Sequence, residues 1–163
     1  MGIYTAVMTA QAVTLANDVF EINSPSNSRV RIREIRMGQY TDFGDAAAEI
    51  LSVIVRRGYS AGGSSGVTAP TPQNIHGWSG APAAGSTVKI YDTGLASDTG
   101  TAGVQTLIAD TWNIAAGWWY YPPEEEMIIM SASDRLVVRI TVPADSITMN
   151  ATIVFEELGQ TPG

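Results

Sequence analysis

The chain contains no cysteine and a single histidine, His76. Without cysteine, disulfide bridges, thiolate nucleophiles and zinc ribbons are excluded. One histidine cannot complete a typical transition-metal site, and His76 lies in a Gly/Pro/Ser-rich segment without a rigid nucleophile beside it. We therefore expect no catalytic residue, no metal site and no cofactor, and we predict that the protein is not an enzyme.

Positive charge is also scarce, and it is unusual in kind. The chain has one lysine, Lys89, against eight arginines, and its net charge is -7. Direct binding of nucleic acid requires a basic patch, so no nucleic-acid partner is expected. Only 15% of the residues are charged, and arginine is favoured over lysine at protein interfaces. This composition favours assembly with other protein chains.

Long hydrophobic runs are missing as well. No stretch approaches the roughly 20 apolar residues of a membrane helix, and no basic segment followed by an apolar one marks a secretory signal. We therefore expect synthesis in the cytoplasm and no membrane partner.

What the sequence does contain is period-two alternation, without convincing helical periodicity. The segments 135–142 and 147–156 alternate apolar and polar residues, and the turn residues 143–146 between them predict a hairpin. The alternation of residues 29–33 changes phase before Ile35, which predicts a β-bulge near Arg33 and Glu34.

About eight short strands with turn signals predict an all-β fold. The expected architecture is an antiparallel β-sandwich of the jelly-roll type with a long Gly/Ser/Pro-rich loop at residues 58–86. We assign residues 1–16 to an N-terminal arm or added strand, residues 17–159 to a single domain and residues 160–163 to a C-terminal tail.

The strongest local signal is an aromatic segment, WNIAAGWWYYPPEEEMIIM at residues 112–130. In a strand, Trp118 and Tyr120 must point to one face and Trp119 and Tyr121 to the other. One pair can fill the core, whereas the other is left over, and the double proline that follows indicates that the end of the strand is at a sheet edge or leaves the sheet. Because few polar groups surround the segment, a protein interface is favoured over a sugar-binding surface.

Three arginines, Arg29, Arg31 and Arg33, share one strand face and repel one another unless carboxylates meet them. The carboxylates could belong to the same sheet (Glu21, Glu156 or Glu157) or to an acidic surface on another subunit. Together with a tryptophan of the long loop, these side chains make up the candidate interface: Arg29, Arg31, Arg33, Trp78, Trp118, Trp119, Tyr120 and Tyr121.

Three segments carry a resemblance to a known family: VFEINSPSNSRVRIREIRMGQYTDFGDAAAEILSVIVRRG, WNIAAGWWYYPPEEEMIIMSASDRLVVRITVP and ITMNATIVFEELG. In pattern and composition the chain resembles the small jelly-roll decoration (cement) proteins that coat the heads of tailed bacteriophages. The resemblance spans roughly residues 17–159 and brings no residue-by-residue motif. It implies a structural virion protein, expected as a homotrimer, that binds the outside of the capsid and stabilises it by bridging major capsid protein subunits.

The competing interpretation is a receptor- or carbohydrate-binding jelly-roll module. It could be a phage tail or fibre domain whose aromatic strand contacts a host glycan, or a trimeric domain similar to tumour necrosis factor. Disulfides and a secretory signal would favour the latter, and neither is found in this sequence.

Overall fold

The computed structural model describes residues 2–39, 50–64, 68–77, 82–97, 103–113, 115–144 and 146–159. Within these ranges the chain forms eleven strands and a single turn of 3-10 helix, and it has no helix long and apolar enough to cross a membrane. The elements are β1 (Gly2–Val13), β2 (Asn17–Asn23), β3 (Arg29–Gln39), β4 (Ile50–Arg57), β5 (Gln73–Asn74), β6 (Thr87–Asp92), β7 (Gln105–Asn113), β8 (Trp118–Tyr120), η1 (Glu124–Glu126), β9 (Ile129–Met130), β10 (Arg135–Ile140) and β11 (Ile147–Leu158).

The strands form two antiparallel sheets. Sheet A has six strands in the order β5-β1-β11-β3-β8, with β9 also paired to β3. Sheet B has five strands in the order β6-β2-β10-β4-β7. The predicted all-β, antiparallel β-sandwich is therefore confirmed.

The core lies between the two sheets and follows directly from the alternation in sequence. Along β11, the odd-numbered side chains from Ile147 to Phe155 are buried, whereas the even-numbered ones up to Val154 are partly exposed. Strands of sheet B contribute Phe20, Leu136 and other side chains to the same apolar cluster. Each sheet thus buries one face and presents the other outward.

The predicted bulge is confirmed at Arg33. Glu34 pairs with Val154 and Ile32 with Phe155, so Arg33 is the one residue of β3 left without a partner across the ladder. This extra residue changes the phase of the strand and brings both Ile32 and Ile35 into the core.

The predicted hairpin is wrong. β10 pairs with β2 and β4 in sheet B, whereas β11 pairs with β1 and β3 in sheet A. Alternation shows which face of a strand is buried, but both sheets bury their inner faces in one core. The turn between the two strands therefore crosses from one sheet to the other, and the pattern could not distinguish this from a hairpin.

The first 16 residues, expected as an arm or added strand, contain β1. This strand lies within sheet A between β5 and β11 of the same chain, and it buries Tyr4, Ala6, Met8 and Val13. In the described parts of the expected long loop, Ala61 bridges to Ser97, Thr68 bridges to Ile90, and β5 pairs with β1.

The outer face of sheet B is covered by loop residues. Tyr59 and Ala96 pack on Val137 in a second small apolar cluster. Beside it, the buried carboxylate of Asp18 accepts hydrogen bonds from Arg139 at 2.6 Å (Nε) and 3.1 Å (Nη2), and from the Ala96 amide at 2.7 Å. Loop and sheet are therefore held together by both apolar packing and buried charge.

Gly63 attaches a second part of the loop to the outer face of sheet B. Its amide donates to Glu21 at 2.9 Å, and its carbonyl accepts from Lys89 at 2.7 Å. Arg135 also lies 3.1 Å from Glu21 Oε1, an ionic contact without hydrogen-bond geometry. A Cβ atom on Gly63 would overlap the carboxylate of Asp92. Only glycine allows this close approach of the backbone.

We expect Gly63→Ala to lower the free energy of unfolding by about 1–3 kcal/mol, as in other overpacked sites. The matched control is Gly38→Ala, because no atom lies within 4 Å of a Cβ placed on Gly38. Urea denaturation measures both variants. Equal stability of the two would contradict the packing described for Gly63.

Candidate interaction site

Strand β8 lies at the edge of sheet A and is positioned by a tight contact with β3. It pairs Trp118 with Met37, Trp119 with Arg36 and Tyr120 with Ile35. Gly117, immediately before it, has a φ of 74°, and a Cβ there would lie 3.1 Å from the Met37 carbonyl oxygen. A glycine at this position allows the chain to turn closely against β3.

The inward pair, Trp118 and Tyr120, forms hydrogen bonds within the chain. Trp118 is 8% exposed and donates its indole N–H to Asp110 at 3.0 Å, which lowers the pKa of that carboxyl. The Tyr120 hydroxyl accepts from the Ile128 amide at 3.0 Å and donates to the Glu126 carbonyl at 3.3 Å. Burial is the main reason that the pKa of Tyr120 is raised.

The outward pair is exposed, with Trp119 at 67% and Tyr121 at 73%. The predicted alternation along this strand is therefore confirmed. The Trp119 indole N–H donates to Glu34 Oε1 at 2.8 Å, and Arg36 Nε lies 2.9 Å from the same oxygen. We call Glu34, Arg36, Trp119 and Tyr121 the aromatic surface.

These contacts give the aromatic surface a defined geometry. The indole of Trp119 is tied by a hydrogen bond to Glu34 while most of its area remains open to a partner. Holding a side chain in its bound conformation reduces the entropy lost on binding. A pocket of about 230 Å³ opens beside it; its lining residues are Arg36, Met37, Ala116, Gly117, Trp118 and Trp119.

Two of the three predicted arginines are neutralised within the chain. Arg31 lies 2.6 Å from Glu124 and 3.8 Å from Glu156, and Arg33 lies 2.8 Å from Glu156. The interpretation that a carboxylate of the same sheet meets them is confirmed for Glu156. Arg29 is exposed, and no carboxylate of the described residues lies within 4 Å of its guanidinium nitrogens.

Trp119 and Tyr121 are thus both exposed on the surface, whereas Trp118 lies in the core. Trp78 lies outside the described residues. Glu34 and Arg36 were not identified as site residues from the sequence. The one sequence feature that could have indicated them is an acidic and a basic residue two positions apart, on the same face of one strand. Across the described ranges, no group of three His, Cys, Asp or Glu side chains could hold a metal ion.

Comparisons with protein-family models, with curated protein sequences and with solved structures give no match. The class of the protein is therefore defined by its fold and its site alone. It is an antiparallel β-sandwich with an exposed, hydrogen-bonded aromatic surface at the edge of one sheet.

Proposed function

We propose that this chain is a structural virion protein that binds the outside of a phage capsid and stabilises its lattice by bridging major capsid protein subunits. It is made in the host cytoplasm, assembles as a homotrimer, and remains on the capsid surface without acting as an enzyme. The proposal combines the resemblance of three sequence segments to decoration proteins with the geometry of the aromatic surface.

The aromatic surface is the observation that carries the proposal. Tryptophan, tyrosine and arginine are the side chains that most often dominate the free energy of binding at protein interfaces. Here Trp119, Tyr121 and Arg36 lie on one outer face, and the Trp119 indole is already oriented by Glu34. When a partner covers this surface, the indole of Trp119 therefore loses little conformational entropy.

The order of the strands supports a jelly roll. With β5, β6 and β9 set aside, the sheets have the orders β1-β11-β3-β8 and β2-β10-β4-β7. The chain then passes from one sheet to the other at each step, except between β4 and β7. Eight strands in two four-stranded sheets are the arrangement of jelly rolls, which are common in viral capsid and lectin domains.

Neutralisation of charge within the chain supports a protein partner. Glu156 and Glu124 compensate Arg31 and Arg33, and Glu34 compensates Arg36. Apart from Arg29, the arginines of β3 therefore present paired charges in place of the basic patch that a phosphate backbone requires. On a lattice, many such modest contacts act together, so that each subunit contributes only part of the stabilisation.

Carbohydrate binding is the second candidate, because the pocket beside Trp119 lies next to an open indole face and to Arg36. Co-sedimentation separates the two. We expect the purified chain to have, by light scattering, a mass that is a multiple of three chains, and to pellet, saturably, with phage heads that lack decoration protein. A chain that stays in the supernatant but is retained on immobilised glycans would replace the capsid proposal with the carbohydrate one.

A further inference from the structure

The other edge strand on this side of the sandwich, β7, has a long edge to which no strand of the described residues pairs. β7 is the last strand of sheet B; its nine residues pair only with β4 within the described chain. The other edge strands offer less: β5 has two residues, β8 has three, and β6 is bridged by Thr68. An open row of backbone groups can pair with a strand from another chain.

β7 has few of the features that protect edge strands. It contains no lysine, arginine or proline, its single charge is Asp110, and seven of its nine residues are exposed. Besides this charge, a bulge at Leu107 protects the strand; it falls between the pairs of Thr106 and Ile108 with β4. The remaining residues, 108–113, keep a regular register, so the centre of the strand is available for pairing.

One contact indicates which backbone groups face outward. The Thr111 amide donates to the Asp110 side chain at 2.8 Å. Because backbone groups of successive strand residues point to opposite sides, those of Ala109 also face the open edge. The Ala109 groups can therefore pair with a new strand without breaking any existing bond.

We propose that β7 pairs with β7 of a second copy of this chain, antiparallel, about a two-fold axis through Ala109. Ala109 is the midpoint of the strand Gln105–Asn113, so in this register residues 108–110 of the two copies pair regularly, and the bulge at Leu107 interrupts the pairing on either side of them. The two small Ala109 side chains meet at the axis. Asp110 then faces Ile108 of the second copy and not the other Asp110.

Charge favours a second copy in this orientation. Arg56 and Arg57 of β4 lie beside the beginning of β7. They donate hydrogen bonds to Thr106 at 3.1 Å and to Gln105 at 2.9 Å, whereas Asp110 lies in the second half of β7. Antiparallel pairing brings the basic end of one copy toward the acidic half of the other. Parallel pairing would place like charges side by side, which is destabilising.

This contact is independent of the capsid proposal, because it uses a different strand and a different partner. A two-fold contact cannot by itself close a trimer. It therefore either joins two single chains or links two trimers, and in both cases breaking it halves the mass of the particle.

The absence of cysteine allows a direct test. Opposed residues of a hydrogen-bonded antiparallel pair have Cα atoms roughly 5.5 Å apart, within the range that disulfides span. Under mild oxidation, we expect Ala109→Cys to form covalent dimers. The control is Leu15→Cys, placed at a 56% exposed position in the turn between β1 and β2, and we expect it to remain unlinked.

Light scattering provides the second readout. Ala109→Lys places two like charges at the axis, and it should halve the mass of the wild-type particle while the circular dichroism spectrum, recorded well below the melting temperature, stays unchanged. The inference is overturned if Ala109→Lys keeps the wild-type mass, or if Ala109→Cys cross-links no faster than Leu15→Cys. Binding to phage heads is measured separately, and it tests the capsid proposal independently of whether β7 pairs with a second copy.

Discussion

A chain that carries both Trp119→Ala and Tyr121→Ala should fold normally and bind undecorated heads about 10³-fold more weakly than the wild type. Truncating an interface residue of this type costs about 2 kcal/mol or more, which is roughly 30-fold in affinity for each. Both side chains are mostly exposed, so stability should hardly change. Quantitative co-sedimentation gives the affinities.

Two further variants sharpen this test. Leu15→Ala removes a comparably exposed apolar side chain from a distant turn and should leave head binding unchanged. Glu34→Ala keeps both aromatic rings but releases the Trp119 indole, and it should weaken binding by a smaller factor than loss of the rings. Equal binding by wild type and the Trp119/Tyr121 variant would show that the aromatic surface is not the interface.

The second large effect is on stability, at Asp18. Its carboxylate is buried, with a side-chain exposure of 0%, and it neutralises Arg139, which is itself 21% exposed. Burial alone would lower the pKa of Arg139, but the hydrogen bonds and charge of Asp18 outweigh burial and raise it. The guanidinium therefore stays charged and needs a partner.

Asp18→Ala should lower the free energy of unfolding by about 3–5 kcal/mol, because it leaves a largely buried charge uncompensated. For a chain of this size the melting temperature falls on the order of 10 °C. Asp18→Asn keeps an acceptor for the Ala96 amide and should cost less. Thermal denaturation followed by circular dichroism measures all three proteins.

A double variant separates the loss of the charge from the loss of packing. The Asp18→Ala/Arg139→Met variant also lacks the guanidinium charge that Asp18→Ala leaves without a partner. Part of the lost free energy of unfolding should therefore return. If the double variant were less stable than Asp18→Ala alone, the Arg139 charge would not be the cause of the loss.

The sequence predicted those features that depend on neighbouring residues. Alternation separated Trp118 from Trp119 and located the bulge at Arg33, because the position of a side chain in a strand follows from the position of the residue before it. It could not assign β10 and β11 to different sheets, since strands of both sheets bury one face in the same core. It also gave no sign that the backbone of Gly63 closes over buried carboxylates.

The candidate site was predicted only in part for the same reason. The exposed pair Trp119 and Tyr121 follows from alternation, but the bonds from Trp119 and Arg36 to Glu34 depend on the pairing of β3 with β8. Partners as far apart as Arg33 and Glu156, or Asp18 and Arg139, meet only once the sheets are formed. For the arginines of β3 the sequence offered three carboxylates of the chain as partners, and spacing alone could not select Glu156 among them.

Calorimetry of the heads tests the central claim most directly, since the claim is that this chain stabilises a capsid. Undecorated heads are heated alone, with saturating wild-type chain, and with the Trp119→Ala/Tyr121→Ala variant. Binding to the intact lattice and not to its dissociated subunits must raise the disassembly temperature. We expect an increase with the wild type and almost none with the variant; heads that disassemble at the same temperature with and without the wild-type chain would contradict the account.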